Sequence, residues 1–202
     1  MRRILFLMTS LLLLAPWSAS AEIRGNYTLV GTAPQPHSVE RVRFEEFMNF
    51  GCPHCNNLRN ASKAFREEYQ DRVEFVDIPI VFRGQDDSPL RLYHVANKAG
   101  KGELIKNALF DASFKHSVNV FDPGIVNYLA RSTGLGAQYA AERDQEWVNA
   151  LIQEGMRKAD TYGVTGTPTV VLQGSLKMDI GQYGGMDGFV KQLPETLSDL
   201  LK

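Results

Sequence analysis

The sequence predicts an α/β fold whose sheet is interrupted by an inserted helical subdomain. Three observations carry that prediction. A strand-like run, Val42 to Phe50, feeds Gly51-Cys52-Pro53-His54-Cys55, and a helix-like run from Pro53 to about Tyr69 follows. After a second strand-like run come roughly seventy residues of helical patterning with no strand signal. Strand patterning then returns at Thr167 to Leu172 and ends in a hairpin. The expected divisions are a leader over 1–21, a first part of the sheet domain over 22–84, the insertion over 85–162 and the second part of the sheet domain over 163–202.

The elements follow in order. Met1-Arg2-Arg3 is basic, Ile4 to Ala15 is Leu-rich, and Ala19-Ser20-Ala21 is a small-x-small cleavage pattern. Together they predict a secretory signal peptide, too short to cross a bilayer comfortably. The mature chain would start at Glu22, in a compartment where disulfides persist. With 44% hydrophobic and 22% charged residues, the chain is composed like a soluble globular protein. Its net charge of −1, with no basic run outside the leader, argues against nucleic acid as a partner.

Tyr27 to Val30 reads as a short strand, and residues 31–38, with Pro34 and Pro36, as a loop. From Val42 the odd and even positions alternate, with Val42, Phe44, Glu46 and Met48 on the register expected to face the core. A carboxylate there is expected to have a raised pKa and to move protons for the thiols, or else to be salt-bridged or exposed at an edge. Leu58, Ala61, Phe65 and Tyr69 predict one helix face, and Val73 to Phe82 a buried strand ending near Pro79. In the insertion, Ser88-Pro89 signals an N-cap and first turn, and Gly100 a stop. Leu104, Ile105, Ala108 and Leu109 give a second helix, and Asp122-Pro123 opens a third, ended by Gly134. A single long helix is expected from about Ala137 to Tyr162, with Trp147, Ala150 and Leu151 on one side. Gln173-Gly174-Ser175 is a hairpin turn before a strand over Leu176 to Ile180. Gly184-Gly185 then leads to a last helix in which Pro194 should produce a kink or a restart.

Cys52 and Cys55 are the chain's two cysteines. A disulfide closing so short a loop restrains an unfolded chain little, so the pair reads as redox chemistry. With Cys52 as N-cap and Pro53 as the first helical residue, first-turn N–H groups and the helix dipole favour a thiolate. A protonated His54 would add a cation, and Cys55, deeper in the helix, would be the resolving thiol. Zinc would need two more ligands, but His37, His94 and His116 are scattered singly and read as surface or packing residues. A c-type haem site would need His where Asn56 stands. An inert disulfide or two buried thiols remain open.

Cys52-Pro53-His54-Cys55 together with Gly163-Val164-Thr165-Gly166-Thr167-Pro168-Thr169 resembles DsbA-like thiol:disulfide oxidoreductases of the thioredoxin superfamily, over about residues 27–201. The resemblance implies a thioredoxin-like fold, with Glu46 similar in position to the family's buried acid. It implies a cis bond at Thr167-Pro168 facing the cysteines, and Gly166, Thr167 and Pro168 as substrate-binding residues pairing with an extended peptide. No metal or organic cofactor is implied. The implied partners are reduced exported polypeptides in the periplasm and a membrane-bound, quinone-coupled re-oxidase of DsbB type. Thr167 before the proline occurs in disulfide isomerases as well, and Asn49-Phe50-Gly51 is less aromatic than the family's usual approach. The direction of exchange is therefore open: oxidase first, an isomerase or reductase kept reduced by a membrane donor second. A chaperone-like peptide-binding module is a third reading. The short stretch between Glu22 and Val42 leaves no room for a dimerisation domain, so a monomer is expected.

Overall fold

The computed structural model describes residues 22–202, so the signal peptide expected over 1–21 lies outside the described residues. Five strands form one sheet in the order β1-β5-β4-β2-β3. They are β1 (Thr28–Leu29), β2 (Val42–Met48), β3 (Val73–Pro79), β4 (Thr169–Leu172) and β5 (Leu176–Asp179). β2 runs parallel to β3, with Phe44 opposite Phe75, and antiparallel to β4, with Phe47 opposite Thr169. Gln173 (φ 52°) and Gly174 (φ 64°) turn β4 back into β5. Both central turn residues have positive φ, which matches the twist of a tight hairpin. Ile180 belongs to a short 3₁₀ turn, Ile180–Tyr183, and not to the strand.

β2 departs from simple alternation because it is central and covered on both faces. Phe44 and Phe47, on opposite faces, are both fully buried, and Glu45 is as buried as Glu46. On one face lie α1 (Pro53–Ala61), α2 (Lys63–Glu68) and α8 (Met186–Leu200), which bury Leu58, Phe65, Leu193 and Leu197 against Phe44. On the other, α7 (Glu146–Thr161) brings Ala159 to Phe47, Ile78 and Val171. Each fully buried side chain of this size contributes about 1.5–3 kcal/mol.

Several helix expectations need correction. The run from Pro53 bends at Ser62 into α1 and α2, although i→i−4 bonds continue through Ser62. The bend carries Phe65 to Phe75, with ring centroids 5.8 Å apart, and buries Ser62 in the stripe where Ala61 was expected. In the insertion, α3 (Ser88–Lys98) has Asp87 as its N-cap, so Ser88 is its first residue. α4 (Gly102–Phe114) turns Leu104 outward and buries Ile105, Lys106 and Leu109. α5 (Pro123–Ser132) starts as expected, with the Asp122 carboxylate accepting from the Gly124 N–H at 2.7 Å.

The long helix expected from Ala137 is two helices, α6 (Gly136–Glu142) and α7. Arg91 of α3 donates to the Arg143 carbonyl at 2.8 Å, which satisfies a backbone group freed by the break. α7 buries Val148, Ile152, Gly155 and Ala159, while Ala150 and Leu151 are exposed and Trp147 is half-buried. α8 continues through Pro194 without restarting. The insertion has its own core, including Leu92, Val95, Ile105, Leu109 and Tyr139, and that core reaches Met48, Phe50 and Cys55. The cysteine pair thus lies where the insertion meets the end of β2.

Candidate active site

The end of β2 and the start of α1 position the cysteines. Cys52 is the N-cap of α1, with extended backbone (φ −91°, ψ 117°), and Pro53 follows in the first turn. Pro fits there because its missing N–H would have had no intrahelical partner. The Cys52 sulfur accepts from the Cys55 N–H at 3.4 Å, and its thiol donates to the Thr167 carbonyl at 3.1 Å. Both residues are free thiols; Cys52 is half-buried, and Cys55 is fully buried.

Their environments drive the two thiols apart. The Cys55 thiol, donating to the Cys52 sulfur, is the main cause that brings Cys52 down from 9.0 to about 5, against the opposing effect of burial. The Thr167 side chain and the backbone N–H groups of Cys55 and His54 lower it further. Thr167 acts in two senses: its carbonyl favours the thiol and its hydroxyl the thiolate, and the donors together prevail. Cys55 is pushed far up by burial first and then by its neighbour Cys52. At neutral pH the half-exposed sulfur is the thiolate and the buried one keeps its proton.

The other sequence-predicted residues fall around this pair. Pro53 and His54 are exposed on the first turn, and His54 meets the Cys52 sulfur with its backbone N–H. Thr167-Pro168 is cis. Gly166 is exposed, with open space where a Cβ would stand, and its carbonyl accepts from the Thr169 hydroxyl at 2.9 Å.

Glu46 is buried, and burial pushes its carboxyl up against the pull of Arg66. Its partner is the guanidinium of Arg66, 2.7 Å away, which also holds Asp77 at 2.7 Å. Lys106 completes the group by binding Asp77 at 2.6 Å and Glu103. Among the described residues no hydrogen bond joins Glu46 to either sulfur. A cavity of about 600 Å³ opens on this side, lined by Glu46, Arg66 and Lys106 among others, and neither cysteine lines it.

Two residues near the sulfurs carry no motif signal. Asn49, buried at the end of β2, gives its carbonyl to the Cys52 N–H at 3.0 Å. Phe121 walls in Gly51, where a Cβ would come within 2.8 Å of its ring. An amide side chain at the predicted end of a strand was the one available hint for Asn49. Among the described residues, no group of three or more His, Cys, Asp or Glu side chains is arranged to hold a metal, and no helix is long and apolar enough to cross a membrane.

Comparison with known proteins agrees with this geometry. The chain is 26% identical over 167 residues to the thiol:disulfide interchange protein DsbA of Burkholderia cepacia, covering 81% of this chain and 79% of that one. It is also 26% identical to the protein of the same name from Pseudomonas aeruginosa, over 78% of this chain and 74% of that one. Among solved structures, Xylella fastidiosa DsbA matches with a TM-score of 0.74 at 20% identity, covering 88% of this chain and 97% of that one. The structure of Pseudomonas aeruginosa DsbA matches with a TM-score of 0.71 at 22% identity, over 85% and 90%. At such identities the structural likeness establishes the fold, which is thioredoxin-like with an inserted helical subdomain. Residues 73–193 match the family described as a DSBA-like thioredoxin domain, a span that begins after the cysteine pair and takes in the insertion and the Thr167-Pro168 loop. The chain belongs to the DSBA-like thioredoxin domain family.

Proposed function

We propose that the protein is a thiol:disulfide oxidoreductase that donates the Cys52–Cys55 disulfide to reduced polypeptides. The observation that carries this reading is the asymmetry of the pair: an accessible sulfur held down to about 5 beside a buried one pushed far up. A low-pKa thiolate is a good leaving group, so a disulfide containing it is readily surrendered.

The electrons balance over two exchanges. A substrate thiolate attacks Cys52 in the disulfide, a substrate–Cys52 bond forms, and Cys55 leaves and takes up a proton. A second substrate thiolate attacks the substrate sulfur of this mixed disulfide, the substrate disulfide forms, and Cys52 leaves as the thiolate. The substrate loses two electrons and the cysteine pair gains them. Cys52 and Cys55 are the catalytic residues in this scheme, and Pro53 and the backbone of His54 shape the thiolate site. Gly166, Thr167 and Pro168 line the approach of an extended substrate, because the Thr167 carbonyl lies 3.1 Å from the attacked sulfur. Glu46 belongs to the buried charge group under Arg66, and any effect it has on the thiols is exerted at a distance.

The wider setting is part of the proposal. The leader pattern over 1–21 supports export, and the family supports the periplasm, with exported polypeptides as clients and a membrane re-oxidase of DsbB type accepting the electrons. The deciding experiment is equilibration of the reduced protein with a glutathione redox buffer, with Cys52→Ser tested alongside. An oxidase has a pair more oxidising than glutathione and loses all exchange in the variant. A pair more reducing than glutathione points to the reductase or isomerase, and peptide binding undiminished by Cys52→Ser, without exchange by the wild type, points to a binding module.

A further inference from the structure

We propose that Asn49 is the positioning residue for Cys52: its carboxamide ends β2, builds the turn that follows and fixes the Cys52 sulfur at the start of α1. This rests on the thiol–disulfide reading above and extends it to a side chain that contacts neither sulfur.

The argument starts from the ladder. β2 and β3 run parallel, and the last backbone bond between them runs from the Ile80 N–H to the Met48 carbonyl, at 2.8 Å. In a continuing parallel ladder the next bond would run from the Phe50 N–H to the Ile80 carbonyl. Instead, Asn49 Nδ2 donates to that carbonyl at 2.9 Å. A side chain thus replaces a backbone rung, and the main chain is free to leave the sheet. The same Nδ2 donates its second hydrogen to Gln85 Oε1 at 2.8 Å, and that oxygen also accepts from the Phe82 N–H at 2.8 Å. Asn49 is therefore tied to the connection between β3 and α3.

The other end of the amide shapes the turn. Asn49 Oδ1 accepts from the Gly51 N–H at 2.9 Å, and the Asn49 carbonyl accepts from the Cys52 N–H at 3.0 Å. These two bonds close residues 49–52 into a side-chain-supported turn. The Phe50 carbonyl within it is held by the Ser113 hydroxyl at 2.9 Å. Gly51 completes the fit, because a Cβ there would meet Phe121 at 2.8 Å and Asn49 Oδ1 at 3.3 Å. Asn49 also reaches the second cysteine, since its backbone N–H faces the Cys55 sulfur and favours its ionised form. With only 2% of its surface exposed, Asn49 has no water to replace a lost partner.

The test compares wild type with Asn49→Ala, Asn49→Asp and Gln85→Ala by ultraviolet titration of the Cys52 thiolate, glutathione equilibrium and denaturant unfolding. Asn49→Ala should raise the Cys52 pKa by about one unit or more and make the pair about tenfold less oxidising. Asn49→Asp keeps an acceptor for the Gly51 N–H but turns an oxygen toward Ile80 and Gln85, so it should behave like the alanine variant or worse. Gln85→Ala leaves the turn bonds intact and should shift both readouts in the same direction by about threefold. A purely structural role would lower the unfolding midpoint and leave the titration alone. A folded Asn49→Ala protein with a wild-type titration and glutathione equilibrium overturns the proposal. If that variant does not fold, a wild-type titration in Gln85→Ala overturns it equally. Failure of the functional reading itself would show in the wild type alone, as a pair that does not exchange with glutathione.

Discussion

At Cys52 an N-cap geometry, a neighbouring thiol and a carbonyl from a distant loop meet on one sulfur, and the consequence is a dependence of stability on pH. Its folded value of about 5 lies below its ordinary value of 9.0. The reduced protein therefore gains stability that is complete above the ordinary value and is lost as pH falls through the folded one. The oxidised protein has no such group. The urea midpoint of the reduced form, relative to the oxidised, should fall progressively from about pH 9 and level off near about pH 5. A difference independent of pH would refute this assignment. The buried charge group sets a second expectation. Arg66 neutralises Glu46 and Asp77, whose side chains are 5% and 7% exposed, and its guanidinium lies 4.8 Å from the centre of the Phe75 ring. Arg66→Leu should cost about 3–5 kcal/mol in urea unfolding, because two buried carboxylates lose their shared partner. Adding Asp77→Asn should recover part of that loss. The register of Glu46 pointed to the core but left a raised, a salt-bridged and an exposed carboxylate all open, and Arg66 was not legible at all, because ion pairing across a sheet and a helix leaves no trace in local spacing.

Helix boundaries marked by a cap or a glycine were easier to read than breaks inside a continuous apolar pattern. Asp122-Pro123 announces α5 through side-chain chemistry confined to three residues, and the structure has that cap. Asp122→Ala should lower stability by about 1 kcal/mol without altering thiol exchange, as measured by thermal unfolding beside the glutathione assay. The breaks at Ser62 and after Glu142 contain neither Gly nor Pro, so the sequence pattern ran through both. The second break is supported from outside, by Arg91 reaching the Arg143 carbonyl and Asn149 Oδ1 at 2.8 and 2.9 Å. At Pro194, where a kink or a restart was expected, α8 does not restart, and the buried Leu193 and Leu197 hold the helix to the sheet on either side of the proline. The order of strands was likewise invisible in the sequence. Parallel pairing of β2 with β3 and antiparallel pairing with β4 depend on contacts between segments far apart in the chain. The cysteine motif and the Thr167 loop were both visible, but their meeting at 3.1 Å is a product of that strand order.

For the whole molecule, the fold class, with a helical insertion, followed from counting strand and helix signals, because period and composition persist over tens of residues. The short segment before β2 is spent on β1 and on docking, with Ile23 buried and Arg24 bound to Asp199 at 2.8 Å. The proposed oxidase should give one chain per particle in light scattering, oxidise reduced peptides quickly and rescue scrambled ribonuclease poorly. A stable dimer that rescues well would favour an isomerase. The ion pair between Arg24 and Asp199 has one further consequence, which concerns time. Its partners are 175 positions apart, and the Thr167 oxygen that touches Cys52 is 115 positions beyond it. A chain threaded outward from its N-terminus exposes both thiols long before either closure can occur. An emerging chain truncated before Thr167 should alkylate at Cys52 no faster than an unstructured thiol of pKa about 8.5, and full-length protein much faster at the same neutral pH. Reactivity would then be the last property the molecule acquires, arriving only when the fold closes over the cysteine pair.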